Sequence, residues 1–243
     1  MNKRARFEEK RNFVVLWLLE FQFSTPRVIC KAMGLVRENQ GHFFSSLKKS
    51  GLFSFVRTPL INEEVLILNF QGKQYGAMLS PKAESYGMSS SRVASSTAIH
   101  SLCVQVALIE RCSTAQPFTF QYERFIHDIE KHKRPDALMD LAGSVVALEV
   151  ELTQKASKRI YLGYLDHIAN MKAGLYSRVE YVFPSASLCA IYQGRFDAPE
   201  WPVFHRDKHG KVVRTLDAGE PVTANANSEA IRNRFSFVSE DLY

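Results

Sequence analysis

One segment of this chain, residues 135–152, constrains its fold more than any other. Its sequence is PDALMDLAGSVVALEVEL, in which the pair Ala142-Gly143 separates two short runs rich in aliphatic residues. Runs of this length around a two-residue break that contains Gly are typical of a β-hairpin. The sequence therefore predicts two antiparallel strands joined by a tight turn.

The predicted hairpin brings three carboxylates to one face of a sheet. With Ala142 and Gly143 as the turn residues, Asp136 lies directly opposite Glu149, and opposed residues share a face. Glu151, two residues further along, lies on the same face as Glu149. Like charges placed so closely destabilise a fold unless a divalent cation, which prefers oxygen ligands, binds between them. The pattern predicts a metal site or, alternatively, the solvent-exposed acidic face of an amphipathic strand.

A helix predicted upstream, over residues 97–112, carries a fourth carboxylate. Its apolar positions form one stripe that includes Leu102 and Val106, and at about 100° per residue Glu110 falls within that stripe. A buried carboxylate is costly unless it is paired or binds a cation, so Glu110 is a further candidate metal ligand. The alternative is that Glu110 reaches water because it lies near the end of the helix.

A basic helix is predicted immediately after the acidic strand, over residues 153–170. Lys155, Lys158 and Arg159 lie near its start. Metal-assisted phosphodiester cleavage requires this combination, because carboxylates hold the metal while Lys or Arg stabilises the charge of the phosphate. The apolar run at residues 179–183 is predicted to return to the sheet as its next strand.

The first third of the chain carries the whole excess of positive charge. Residues 1–92 contain 14 Lys and Arg against 7 Asp and Glu, whereas residues 93–243 contain 17 against 18. A basic module beside a nearly neutral one indicates that the first module contacts a polyanion such as DNA, the alternative being a solvated basic surface. A Ser-rich stretch at residues 84–97 has the composition of a linker. The predicted domains are therefore residues 1–90 and 91–243, the second with a loop-rich tail after about residue 193.

The basic module is predicted to be a winged helix-turn-helix. Three helical segments, near residues 7–21, 25–34 and 36–49, precede two strands at residues 52–57 and 64–70. In that fold the third helix enters the major groove of DNA. Residues suited to phosphates and base edges lie on this helix and beside it: Arg37, His42, Lys48 and Lys49. A winged helix that binds protein is the alternative.

Other features exclude several classes of protein. The longest apolar run, residues 13–19, has seven residues, whereas about 20 are needed to span a bilayer. We therefore expect a cytoplasmic protein without membrane insertion. Four cysteines without a CxxC pair argue against a disulfide framework or a zinc ribbon. The sequence contains no Walker loop, GxGxxG motif or nucleophile elbow.

The second module is predicted to contain, in order, a helix, a strand at residues 118–126, the PD-strand, the ExE-strand, a helix and a strand. This order resembles that of the PD-(D/E)xK nuclease core. Pro135-Asp136 and Glu149-Val150-Glu151 match the motif of that family, with Glu151 where Lys is usual and Lys155 as its replacement. The fold class expected is α+β, a winged helix-turn-helix followed by an α/β restriction-endonuclease-like domain with a mixed central sheet. The resemblance implies catalytic roles for Asp136, Glu149, Glu151 and Lys155.

More narrowly, a winged helix followed by RPDAL and VVALEVELTQKA resembles the plasmid replication-relaxation group, and residues 10–192 are similar to MobC-type mobilization relaxases. The resemblance implies a site- and strand-specific nick at the origin of transfer of a mobilizable plasmid. It also implies dependence on Mg²⁺ or Mn²⁺, with Glu110, Asp136, Glu149 and Glu151 as ligands and Lys158 and Arg159 on DNA. A relaxosome accessory protein and a coupling ATPase are the implied protein partners.

Two other functions remain open at this point. One is a DNA-binding regulator of plasmid replication or copy number whose nuclease-like domain is catalytically inactive. The other is a restriction or repair endonuclease. Relaxases commonly use a tyrosine activated beside a cluster of His, and this sequence has no such cluster. Metal-bound water is therefore the expected nucleophile, and Tyr161 and Tyr164 are expected to be core or surface aromatics.

Overall fold

The computed structural model shows a mixed α+β chain that divides into two units, residues 1–116 and 117–242. The structure describes residues 2–80, 95–114, 118–127, 129, 132–217, 219–225 and 228–242. Most of the predicted linker, residues 84–94, lies outside the described residues. None of the described helices combines the length and apolarity needed to cross a bilayer.

The first unit has the predicted order of helices followed by a hairpin. Its elements are α1 (Lys3–Phe21), β1 (Phe23–Ser24), α2 (Pro26–Ala32), α3 (Gly41–Lys49), β2 (Phe53–Thr58), β3 (Ile61–Leu68), α4 (Phe70–Leu79) and α5 (Ser95–Arg111). The side chain of Thr25 caps α2 by accepting from the N–H of Val28, and Pro26 occupies its first turn. The strands form one antiparallel sheet in the order β1-β3-β2.

The predicted third helix is divided in two. Residues Arg37–Gln40 form a turn of 3-10 helix, and α3 begins only at Gly41. In α3, Phe43, Phe44 and Leu47 are buried, as a 3.6-residue period requires. The opposite face of α3 is exposed and includes His42, Ser45 and Lys49.

Helix α5 belongs to the first unit, whereas the sequence placed it at the start of the second. Gln105 is fully buried, and its Oε1 accepts from Trp17 Nε1 at 2.9 Å and from Ser24 Oγ at 2.7 Å. Its Nε2 donates to the carbonyl of Phe23 at 3.0 Å. Periodicity alone could not show this partnership, because the partners lie about 80 residues away along the chain.

Replacing Gln105 by Leu is expected to destabilise the protein by about 1–3 kcal/mol, because the buried donors of Trp17 and Ser24 lose their acceptor. Denaturant-induced unfolding of the full chain measures this loss. Gln74→Leu, a change at an exposed position of α4, is the matched control and should change stability little. Equal stability of Gln105→Leu and the control would contradict this account.

The second unit is built on a mixed sheet in the order β14-β7-β6-β5-β4. Its elements are β4 (Phe120–Tyr122), β5 (Ala137–Leu141), β6 (Ser144–Val150), α6 (Ser157–Lys172), β7 (Arg178–Phe183), α7 (Ala186–Phe196), β8 (Glu200–Pro202), β9 (Phe204–Arg206), β10 (Val212–Arg214), β11 (Leu216–Asp217), β12 (Glu220–Pro221), β13 (Thr223–Asn225), α8 (Glu229–Arg232) and β14 (Phe235–Ser239). Strands β4, β5 and β6 are antiparallel neighbours, and β7 is parallel to both β6 and β14.

The hairpin predicted from the sequence is confirmed. Ala142 and Gly143 adopt φ values of 54° and 82°, as the tight primed turn of a hairpin requires. Ala137 pairs with Leu148 and Leu141 with Ser144. Continued by one residue, this register sets Asp136 opposite Glu149.

Two sequence predictions for this unit differ from the structure. The strand predicted over residues 118–126 is only β4, followed by a 3-10 turn at Glu123–Phe125, which ends the pairing with β5. The tail predicted to be rich in loops contributes β14, an edge strand of the central sheet. Its alternating sequence FSFVS contained the signal for a strand.

Candidate functional site

Strand β6 carries two buried carboxylates. Glu149 is 1% exposed and Glu151 is 4% exposed, so the interpretation of an acidic face in solvent is wrong. Both carboxylates need counter-charges, because a buried and unpaired carboxylate is costly. Lys133 and Lys155, both in loops, supply those charges.

Lys133 lies between the two glutamates. Its Nζ contacts Oε2 of Glu149 and lies 3.8 Å from Oε1 of Glu151. Burial lowers the pKa of Lys133, but the charges of Glu149, Glu151 and Asp136 outweigh burial and raise that pKa above its usual value. Lys133 therefore carries its charge at neutral pH and offsets one of the two negative charges.

Glu149 and Glu151 have opposite pKa shifts. Burial alone would raise the pKa of Glu149, but Lys133 and His167 outweigh it and lower the pKa to about 2. Burial dominates at Glu151 and raises its pKa, although Lys133 and Lys155 oppose the effect. Lys155, four residues further along the chain and before the start of α6, donates from Nζ to Oε1 of Glu151 at 2.6 Å. Glu151 is thus the more readily protonated of the two.

A polar network formed by α6 and by Tyr176, which follows it, encloses Glu149. His167 Nε2 lies 3.1 Å from Oε1 of Glu149, and His167 Nδ1 lies 2.6 Å from the hydroxyl of Tyr176. That hydroxyl accepts from Asn170 Nδ2 at 3.0 Å, and Asn170 Nδ2 also donates to the carbonyl of Lys133 at 3.1 Å. These hydrogen bonds hold the imidazole of His167 beside Glu149, and they hold the backbone of Lys133 against Asn170 of α6.

Asp136 is tied to the backbone of β6. Its Oδ2 accepts from the N–H of Val150 at 2.7 Å, and its own N–H donates to the carbonyl of Leu148 at 3.0 Å. The charge of Asp136 contributes to the raised pKa of Lys133. Asp136 thus extends the acidic cluster as the hairpin register predicted.

A cavity of about 350 Å³ lies above this centre. Among the residues that the structure describes, six cationic side chains line it: Lys133, Lys155, Lys158, Arg159, Arg206 and Lys211. Glu151 is the single carboxylate among the described lining residues, and neither Glu149 nor Asp136 lines the cavity. The opening is therefore strongly positive, which suits an anion such as a phosphate.

Half of this cationic lining was not predicted from the sequence: Lys133, Arg206 and Lys211. Arg206 and Lys211 come from the hairpin of β9 and β10, which packs against α6. The turn is held by Asp207, whose Oδ1 accepts from the N–H groups of His209 and Lys211 at 2.9 Å each. The local signal was the turn sequence from Asp207 to Gly210, but nothing local shows which surface this hairpin covers.

The arrangement does not fit a resident divalent cation. Within the ranges that the structure describes, no group of three or more His, Cys, Asp or Glu could hold a metal ion. The ammonium of Lys133 lies between Glu149 and Glu151, where a shared cation would bind. Dependence on Mg²⁺ or Mn²⁺ stays a prediction.

Glu110 is located in the first unit and reaches water. Its side chain is 50% exposed and forms an ion pair with Lys31 of α2 at 2.6 Å. The structure therefore supports the alternative prediction that Glu110 reaches water near the end of its helix, because the apolar stripe of α5 ends before this residue. Of the carboxylates predicted as ligands, Asp136, Glu149 and Glu151 form one cluster within the second unit.

The two tyrosines considered as nucleophiles are packed aromatics. Tyr164 is fully buried, and its hydroxyl donates to the carbonyl of Tyr192 at 2.9 Å. Burial raises the pKa of Tyr164 well above its usual value. Tyr161 packs against Tyr164 and Trp201. Neither residue lines the cavity.

The predicted DNA-contacting residues of the first unit lie around α3. His42, Lys48 and Lys49 are exposed on α3, and the guanidinium of Arg37 stacks on the ring of Phe44 at 4.8 Å. Lys48 is partly engaged, because it pairs with Glu64 and lies over the ring of Phe55. Lys49 and His42 are thus better placed than Lys48 to meet a ligand.

Comparisons with known proteins found no matching family model, no matching curated protein and no matching solved structure. The function is therefore argued from the residues of the site.

Proposed function

We propose that this chain binds DNA and nicks one strand at the centre formed by Glu149, Glu151 and Lys155, as a relaxase does. The observation that carries the proposal is the cavity in which six cations surround one partly neutralised carboxylate. A phosphodiester is the ligand class that this combination suits. Cations bind its charged oxygens, and a carboxylate within reach can move a proton.

The cations and Glu151 have separable roles in this proposal. Lys158, Arg159, Arg206 and Lys211 lie at the cavity and bind the DNA backbone through its phosphates. Lys155, which donates to Glu151, stabilises the charge that develops on the attacked phosphate. Glu151, with its raised pKa, accepts a proton from the attacking water, whose oxygen bonds to phosphorus while one phosphorus–oxygen bond to a sugar breaks and the leaving oxygen takes a proton from solvent.

The order of elements supports the finer fold assignments, which we also propose. A meander of three antiparallel strands, a helix and a parallel strand is the order expected of the PD-(D/E)xK core. Helix, strand, two helices and a hairpin is the order expected of a winged helix-turn-helix. The origin of transfer, an accessory protein and a coupling ATPase are the partners this proposal implies.

One observation favours a second candidate function, a DNA-binding regulator without catalysis. Lys133 and Lys155 together neutralise Glu149 and Glu151 in the manner of structural ion pairs. A centre that serves only to bind DNA would retain its cationic lining and need no free carboxylate.

One experiment separates these functions. The full chain is incubated with Mg²⁺ or Mn²⁺ and a supercoiled plasmid that carries the DNA flanking its own gene. Open-circle product with a single nick position supports the proposal. Unchanged supercoiled DNA, together with a shift in gel mobility, supports the regulator, and linear product supports a restriction or repair nuclease.

Replacing Lys49 by Ala should weaken binding to all DNA sequences and reduce the slope of log affinity against log salt by about 1, because one phosphate contact is lost. Lys48→Ala should have a smaller effect, since Glu64 already shares that charge. Fluorescence anisotropy of the full chain with labelled duplex at several salt concentrations measures both. The control is Lys172→Ala, an exposed lysine of α6 outside the cavity lining. A salt slope unchanged by Lys49→Ala would argue against contact through α3.

A further inference from the structure

The acidic centre already contains its own cation. Lys133 Nζ contacts Glu149 Oε2 and lies 3.8 Å from Glu151 Oε1, so one ammonium bridges the two carboxylates. A second ammonium, from Lys155, lies 2.6 Å from the same Glu151 oxygen. With Asp136, whose charge also acts on Lys133, three carboxylates face two ammonium groups, and a divalent ion added here would turn the net charge of the centre positive.

The position of Lys133 is held by the fold. Asn170 of α6 donates to the carbonyl of Lys133, and Pro135, two residues further along, is buried. The remaining carboxylate oxygen of Glu149 faces His167 Nε2 at 3.1 Å, and neither atom makes a hydrogen bond of good geometry within the described residues. The carboxylate of Glu149 is therefore enclosed by two nitrogen groups, and a metal ion could bind it only by displacing one of them.

We propose that Lys133 is the resident cation of this centre, that it excludes divalent metal ions from Glu149 and Glu151 when DNA is absent, and that its removal creates a metal site. The inference concerns the centre named in the proposed function, but its test does not involve nicking. The experiment can therefore contradict this inference without contradicting the proposed function, and the reverse is also true.

The test titrates the full chain with MnCl₂ in the absence of DNA and follows free Mn²⁺ by electron paramagnetic resonance. The wild-type centre should bind Mn²⁺ with a dissociation constant above about 1 mM, and Glu149→Gln should leave that weak binding unchanged. Lys133→Met should bind at least about tenfold more tightly, and Mn²⁺ should raise its melting temperature. Adding Glu149→Gln to Lys133→Met should abolish both gains.

Lys158→Met is the matched control, because Lys158 lines the same cavity and is not paired with either glutamate among the described ion pairs. It should not produce the tenfold gain. Wild-type binding tighter than about 0.1 mM that Glu149→Gln removes would overturn the inference, and this measurement does not depend on how well Lys133→Met folds. A folded Lys133→Met variant with wild-type affinity for Mn²⁺ would overturn it as well.

Discussion

Glu151→Gln is expected to reduce strand nicking by about 10²–10⁴-fold while DNA affinity is kept or slightly raised. Glu151 is the carboxylate that reaches the cationic cavity, and the amide that replaces it cannot accept a proton. One negative charge beside the phosphates is lost, which favours DNA binding. Single-turnover nicking of supercoiled plasmid and anisotropy with labelled duplex measure the two quantities.

The pH dependence of nicking gives a second readout of the same residue. The base must be deprotonated to act, so the rate should fall as the pH is lowered through the pKa of Glu151. Because burial raises that pKa, the fall should begin at a higher pH than for an ordinary glutamate. Glu200→Gln, an exposed change in the same unit, should keep the wild-type rate and profile. Wild-type nicking by Glu151→Gln would remove this residue from the mechanism.

Local pattern was sufficient to predict the hairpin and its acidic face. A turn of two residues with positive φ and a side-chain period of two fix the register, and both are properties of neighbouring residues. Asp136 therefore lies opposite Glu149 as predicted. The same argument could not give the burial of the acidic face, because burial depends on what packs over the strand.

The counter-charges of the site were not predictable in the same way. Lys133 comes from the segment before β5, where no periodicity indicates the direction of a side chain. His167 lies on the buried stripe of α6, three residues after Tyr164 and four before Met171, so its burial could be inferred. Its partner Glu149 could not, because the contact depends on how α6 packs against the sheet.

Charge patterning also gave an incomplete account of the basic surfaces that we propose to bind DNA. The excess of Lys and Arg in the first 92 residues indicated a basic module there. The second unit is nearly neutral overall, yet it gathers six cations around one cavity. Net charge does not reveal such a concentration, because acidic residues elsewhere in the unit cancel it in the sum.

Replacing Lys133 by Met is expected to destabilise the protein by about 3–5 kcal/mol near neutral pH, the cost of removing one partner from a buried ion pair. Glu149 is 1% exposed, so water cannot replace the lost ammonium. Denaturant-induced unfolding at several pH values measures the effect. Lys172→Met, at an exposed position of α6, is the control and should change stability little.

The destabilisation should depend on pH, with a sign set by Glu149. In the wild type the folded-state pKa of about 2 lies below the ordinary value of 4.5, so the ionised Glu149 stabilises the fold above about pH 4.5. That contribution is lost as the pH falls towards 2. In the variant, burial without Lys133 raises the pKa of Glu149, so its contribution is instead lost as the pH rises through the new value. The difference between the two proteins should therefore shrink on acidification.

A double-mutant cycle separates this electrostatic cost from lost packing. Lys133→Met combined with Glu149→Gln removes both charges, so most of the lost stability should return and its dependence on pH should weaken. If the double variant were no more stable than Lys133→Met alone, the cost would lie in the packing of the lysine side chain. Recovery in the double variant would instead identify the ion pair as the reason that this strand tolerates a buried glutamate, because the carboxylate at position 149 would be costly only when Lys133 is absent.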